Sequence, residues 1–575
     1  MKQSQPEESE SGQQSPASQS RGRLVAAWFL KKKHLLYVLV SIYVAVAFSL
    51  SVLRFMEFYD RNWDFGIFQQ ALWSTTHGRI MWESGDYATF GVSSFFQIHP
   101  SFMMFPLAGL YALAPWPWTI LLLQAMVTGL AALPLYYLAK KVTGSETKSL
   151  IAAGVFLAWA PVLSSNLYDF HLESFMPLEL FTFFYLWISR RYLLGFTAAA
   201  VSCLTLEIAP VLIVFFLLFI YSDDVLILSR SVWSWLTGRT KQLLRVFLQQ
   251  RSSRMNADRP EKSPDILWGA VMVIFVAVIY LILRLLQGPF LSLILGFQPA
   301  MSPAVDLSPG ALNLSITYFP GGFFTKAGYW LLLYALLAFI PLKYPRTLIM
   351  VLPWLAWTFL TPYLNTVQLG YSYGYIAAVP MLIGFCYGLS KLDVSFEWVK
   401  EAPTSMTSGN PSSRRRRPSP LSIVILVILA ANILISPVDP LVQTSEFTGA
   451  GMPGYWLSYD LEPGYSQVVS AAGLIEPSSS YVLASDDLFV LVANNANAYS
   501  TSTDSQSLGN TPFSSTNLPA YLFFSEKDST HVPVFILNVL ANTSDYGVRA
   551  VVETTPVGTV TLYQLGYTGM PTTYA

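Results

Sequence analysis

Apolar runs of 15 to 22 residues recur along most of this 575-residue chain, and nothing else in it restricts the fold as tightly. An α-helix needs about 20 consecutive apolar residues to cross the ~30 Å of hydrocarbon in a bilayer. Charged residues make up only 12% of the chain and hydrophobic ones 53%, at a mean hydropathy of +0.45. Soluble domains carry about 25% charge, so there is too little polar surface here to cover a water-soluble body of this size. The formal net charge is zero, which removes any bulk electrostatic attraction for nucleic acid.

The fold class expected is an all-α polytopic membrane bundle of about eleven transmembrane helices, followed by a small α/β domain outside the membrane. The spans are placed at 35–53, 118–139, 149–165, 174–189, 192–205, 207–221, 266–287, 327–342, 346–362, 371–390 and 420–436. Basic residues collect on alternate connections: Lys140, Lys141 and Lys148, then Arg190 and Arg191, eight in the loop 222–265, Lys343 and Arg346, and the run Arg414–Arg417. Because cytoplasmic loops hold the excess of Lys and Arg, the N-terminus and the loops 222–265 and 391–419 are assigned to the cytoplasm. Residues 1–34 read as a disordered tail, and 437–575 fall outside. The apolar stretch 100–114 is too short for a span; it is expected to lie in the outer interface, with Trp116 and Trp118 as anchors. The sequons at Asn313 and Asn542 fall on segments assigned to the outside.

The exported region carries twelve acidic and two basic residues. Strand-like runs stand at 480–484, 520–524, 548–552 and 558–564, with helix-compatible stretches near 486–493 and 531–541. It contains no nucleophile motif, phosphate loop or metal-ligand spacing. Cys203 and Cys386 both fall within spans, so no disulfide staples this domain.

Ionisable groups beside hydrocarbon are costly, so their placement is informative. The first outer loop, within 54–117, is rich in acids and aromatics, including Phe55, Tyr59, Trp63, Asp64 and Trp73, and reaches His99. The next outer loop reads Tyr168-Asp169-Phe170-His171-Leu172-Glu173, and Glu207 occupies the outer turn between two spans. Three separate turns thus present carboxylates at one membrane edge, two of them with a histidine. Each residue alone is what a solvated loop or an aromatic belt takes freely; their convergence is what suggests a polar site.

At these residues a resemblance is visible. The stretch Asp64-Phe65-Gly66-Ile67-Phe68-Gln69-Gln70-Ala71-Leu72-Trp73, the following Gly78, the His99-Pro100 pair leading into an apolar helix, and Phe170-His171-Leu172-Glu173 together resemble a family of archaeal and bacterial polytopic membrane proteins. Its arrangement is similar to the GT-C class of glycosyltransferases that use lipid-linked sugars. The closing segment 476–563 resembles the same family. The chain departs from the pattern in three places. Leu206-Glu207-Ile208 stands where relatives have Lys-Glu-Asp, Ser372-Tyr373 where they have His-Tyr, and one proline instead of two follows His99.

The resemblance implies a membrane enzyme that passes a sugar from a polyprenyl-phosphate-type donor to a glycan, lipid or protein acceptor on the outer face. Asp64 is the implied catalytic base. His99, Gln70, Arg284, Lys326 and Tyr373 are candidates for the donor's phosphate. Asp169, His171, Glu173 and Glu207 are candidates for orienting the acceptor or holding a metal. The resemblance fixes no cofactor; Mg²⁺ or Mn²⁺ is the ion that carboxylates and a donor phosphate would suit. Two other readings remain open: a transporter or flippase without covalent chemistry, and a non-catalytic surface-assembly protein. Against the transporter, buried ionisable residues such as Glu179 are few and no repeat relates the two halves.

Overall fold

The computed structural model describes residues 32–58, 62–92, 94–227, 229, 265–287, 322–392, 420–437, 464–476, 480–501, 511–513, 517–527 and 545–574. The tail up to residue 31, most of the loops 222–265 and 391–419, both sequons and the stretch 531–541 lie outside these residues. Within them the chain is mostly helical, with one six-stranded sheet in its C-terminal part.

Among the described residues three helical stretches are long and apolar enough to cross a bilayer: His34–Met56, Pro117–Thr143 and Ile266–Leu285. The first lies in helix α1 (Lys32–Met56). After it come α2 (Asn62–Thr76), α3 (Ser84–Phe90) and α4 (Met104–Leu113). Helix α4 has ten residues, about 15 Å of rise, so it is no span. The second long stretch comprises α5 (Pro117–Leu130) and α6 (Ala132–Thr143). A fourth candidate is broken: α7 (Glu146–Ala158) and α8 (Ala160–Leu167) meet at a 42° bend. Pro161 explains it, since proline lacks the N–H that would continue the ladder and its ring crowds the preceding turn.

The other expected spans correspond to helices that are shorter than the apolar runs that announced them, except at 192–205, where the two coincide. They are α9 (Met176–Ile188), α10 (Tyr192–Thr205) and α11 (Ala209–Ile220), then, beyond α12 (Ile266–Leu285), α13 (Phe323–Ala335), α14 (Leu348–Leu360), α15 (Gly374–Ser390) and α16 (Pro420–Ile435). The run expected as 327–342 is interrupted at its end. Helix α13 gives way to a turn in which Ala338 and Phe339 adopt positive φ, then to a 3₁₀ turn at Ile340–Lys343. Along α12, Leu267, Ile274 and Leu281 are 68%, 63% and 58% exposed, an apolar stripe suited to lipid.

Helix α15 is buried nearly all round and forms the centre of the bundle, against α6, α7, α8 and α9. Small residues allow that approach. A Cβ on Gly388 would run into the carbonyl of Ile340, and one on Gly374 would meet the carbonyl of Pro161. Where helices break, a polar side chain takes over the freed backbone groups. Asn432 of α16, 1% exposed, accepts from the N–H of Ala160 at 2.9 Å and donates to the carbonyls of Leu336 and Ile428, each at 2.8 Å.

The sheet comprises β1 (Val482–Ala484), β2 (Ala498–Ser500), β3 (Tyr521–Ser525), β4 (Tyr546–Val552), β5 (Val560–Leu565) and β6 (Thr572–Tyr574), ordered β2-β1-β3-β5-β4-β6. β1 pairs in parallel with β2 and β3, while β5 runs antiparallel between β3 and β4. Strands β2 and β6 and the helix α17 (Tyr465–Ala472) were not legible from the sequence; the two strands have three residues each. Side chains alternate faces along a strand, and the segment between α1 and α5 supplies an aromatic to each side. Phe58 packs with Val482, Ala484 and Phe523, and Trp82 with Leu483, Leu522 and Phe524.

Candidate active site

Helix α2 sets the geometry. Its residues Asp64, Ile67 and Phe68 share one face by the i, i+3, i+4 rule and line a cavity of about 580 Å³. Asp64 lies in the first turn, where the positive end of the helix dipole favours a carboxylate. Tyr168, just past the end of α8, donates its hydroxyl to Asp64 Oδ2 at 2.6 Å. His171 Nε2 lies 3.7 Å from the same oxygen, and its ring stacks on that of Tyr168 with centroids 5.0 Å apart. Burial, reinforced by the Asp64 and Asp169 charges, holds the Tyr168 phenol well above its usual range, so it stays a neutral donor.

A second pair enters from other elements. His99 Nδ1 lies 2.9 Å from Glu207 Oε1, the latter in the turn between α10 and α11. Burial alone would lower the imidazolium's pKa, but the bonded Glu207 carboxylate, with Glu173 and Asp86 behind it, lifts it to about 9. Glu207 is pushed up by burial and more than compensated by His99, which leaves it below the usual carboxylate range. His99 is therefore a cation at neutral pH, with 35% of its side chain accessible.

Near the end of α12, Arg284 also lines the cavity. Its Nη1 donates to Gln287 Oε1 at 2.6 Å and its Nε to the Tyr280 hydroxyl at 3.2 Å. Gln287 in turn donates to the carbonyls of Gln97 and Ile98, at 2.7 and 3.1 Å. That chain of bonds ties the guanidinium to the loop bearing His99. Leu206, Ile208, Val211, Trp354, Trp357 and Ile376, with Tyr363, Tyr371 and Tyr373, give the wall an apolar and aromatic stretch, beside which Glu173, Thr366 and Ser372 add polar groups.

Of the residues singled out in the sequence, Asp64, His99, His171, Glu173, Glu207, Arg284 and Tyr373 line this one cavity, and Gln70, Lys326 and Asp169 do not. Gln70 turns away from the expected lipid phosphate. Its Nε2 donates to the carbonyls of Asn495 and Ala498, and its Oε1 accepts from the N–H and hydroxyl of Ser84. Lys326 is fully buried and donates to the carbonyls of Phe359 and Thr361 at 3.2 and 2.7 Å, which spends its charge on the end of α14. Asp169 is fully buried, and its carbonyl accepts from Gln124.

Two acids were passed over. Asp86 lines the cavity, and Glu83 caps α3 by accepting from the N–H of Asp86 at 2.8 Å. Burial raises Asp86 to about 6 and, together with the Asp86 charge, carries Glu83 well above the usual range. A side chain three residues ahead of an acid at a helix start was the available signal. Among the described residues no three His, Cys, Asp or Glu side chains converge as a metal's ligands.

Solved structures that match the chain include ArnT from Cupriavidus metallidurans bound to undecaprenyl phosphate. It is 14% identical, with 92% of this chain and 99% of that one covered and a TM-score of 0.43. The oligosaccharyltransferase of Archaeoglobus fulgidus in its apo form is 14% identical over 95% of this chain and 76% of that one, at 0.42. The archaeal oligosaccharyltransferase AglB from the same organism, in complex with an inhibitory peptide and a dolichol-phosphate, is 13% identical over 87% and 70%, at 0.40. No curated protein matches the chain. The family model described as predicted membrane protein (DUF2079) matches residues 54–529, and the chain belongs to that family.

Proposed function

We propose that the chain is a membrane glycosyltransferase of GT-C type, moving a sugar from a polyprenyl-phosphate donor to a hydroxyl acceptor. The observation that carries this reading is the content of one cavity. A carboxylate held by a tyrosine, a histidine cation and an arginine meet there beside an apolar aromatic wall. In the proposed reaction the acceptor oxygen bonds to the sugar's anomeric carbon while the bond from that carbon to the phosphate oxygen breaks. Asp64 takes the acceptor's proton, since a general base must sit within hydrogen-bond reach of it. The bonding electrons leave with the phosphate, whose growing charge His99 and Arg284 stabilise as preorganised donors. The isoprenoid chain lies along Leu206, Val211, Trp354 and Trp357.

Each of these steps is assigned to one of the chain's own side chains. The basic loops support an outer-face location for the cavity, the level at which the headgroup of a lipid donor would lie. The test is transfer by the purified full chain from polyprenyl-phosphate hexoses, read as release of polyprenyl phosphate. Wild-type protein is expected to release it, and Asp64→Asn to lose at least about 100-fold in rate. Equal rates in the two proteins would end the assignment of Asp64, and a wild type inert towards all such donors would end the transferase reading.

A further inference from the structure

Helix α2 has a second working face. Residues 64, 67 and 68 meet the cavity, while 66, 69 and 70 meet the C-terminal domain. Gly66 lies against the ring of Phe489 so closely that a Cβ would collide with it. One turn on, Gln69 Nε2 donates to the carbonyl of Val490 at 3.1 Å and to Asn494 Oδ1 at 3.3 Å. Gln70 grips the carbonyls of Asn495 and Ala498 at 2.7 and 3.0 Å. The elements flanking α2 are seized by the same short segment. Tyr111 of α4 donates to Asn494 Oδ1 at 2.9 Å, Asn494 Nδ2 donates to the carbonyl of Pro115 at 2.9 Å, and Trp82 Nε1 donates to that of Ala496 at 2.9 Å.

We propose that Asn494, in the turn between α18 (Phe489–Val492) and β2, is a positioning residue that fixes the helix carrying Asp64. The segment 489–498 of the C-terminal domain then works as a clamp on the site's base from behind. Asn494 touches no cavity atom; its carboxamide joins α2, α4 and the start of α5 at one point. The Asp64 carboxylate sits two residues before Gly66, so a small rotation of α2 about its axis would swing it away from Tyr168. Misplacement of a catalytic group by about 1 Å costs up to 100-fold.

The test has two arms on the intact full chain, and its kinetic arm rests on the transferase reading. In hydrogen–deuterium exchange, Asn494→Ala is expected to speed exchange of the amides of 62–76 about 10-fold, leaving those of 374–390 at the wild-type rate. Asn494→Asp keeps both acceptor contacts, to Gln69 and Tyr111, but loses the donor to the carbonyl of Pro115, and is expected to fall between wild type and Asn494→Ala. In transfer assays Asn494→Ala should lower kcat about 10-fold with the donor KM unchanged. Unchanged exchange at 62–76, an Asp variant indistinguishable from the Ala variant, or a loss confined to KM would each overturn the clamp. The exchange response in a protein with no transferase activity would uphold the clamp and remove the transferase reading.

Discussion

The Tyr168 hydroxyl donates to Asp64 Oδ2 at 2.6 Å, joining the segment after α8 to the first turn of α2. A hydrogen bond to a charged group contributes about 1.5–3 kcal/mol, and this one also fixes the carboxylate's rotamer. Tyr168→Phe is expected to reduce kcat about 10-fold while the chain stays folded, measured by transfer kinetics beside a thermal melt. A Tyr168→Phe enzyme at full speed would show that Asp64 needs no such support.

The His99–Glu207 pair predicts a pH dependence with a definite sign. The His99 pKa is raised to about 9 from an ordinary 6.5, so the protonated form is favoured by the folded state. Its contribution to stability is complete below about pH 6.5 and disappears as pH rises through about 9. The alkaline limb of the rate profile should therefore lie near pH 9. Glu207→Gln removes the main support for the cation and should bring that limb down by at least one unit. The melting-temperature difference between Glu207→Gln and wild type should be largest just below pH 6.5, shrink as pH rises through about 9, and close at pH 10.

Among the described residues Arg284 donates to Gln287 and Tyr280 and to no acid, which leaves donors for an anion. Arg284→Gln should raise the donor KM about 10-fold, as expected for loss of one charge-assisted contact, with acceptor KM unchanged. Arg284→Lys should recover only part, because an ammonium lacks the planar fork. An equal rise in both KM values would place the arginine away from the phosphate.

Packing at α15 gives a prediction independent of any chemistry. In Gly388→Ala the new methyl meets the carbonyl of Ile340, a backbone atom that cannot rotate aside. Overpacking of this kind costs about 1–3 kcal/mol, and the melting temperature should fall. A melt equal to wild type would mean that the 3₁₀ turn at 340–343 is free to retreat.

What could be read in advance followed chemistry that sequence displays directly. Asp64, His99, Glu173 and Glu207 declared themselves as ionisable groups beside hydrocarbon, and they meet in one cavity. Gln70 and Lys326 carry the right atoms, but which way a helix faces depends on tertiary neighbours that the motif does not encode. Gln70 points at the C-terminal domain because α2 is gripped on that side. Hydropathy likewise located the run at 327–342 but not its rupture, which is set by the backbone at Ala338 and Phe339. Glu83 and Asp86 were hidden because an acid near a helix start ordinarily serves only as a cap.

Asn432 stands on α16, the last described helix before α17, yet two of the groups it satisfies belong to earlier interruptions, at Ala160 and Leu336. Acyl chains offer neither donor nor acceptor. A version of this protein trimmed ahead of residue 420 would thus expose bare peptide groups to oil in the middle of the bundle. The C-terminal part is consequently no detachable appendage: swapping or excising it must spare α16, which belongs to the helical bundle.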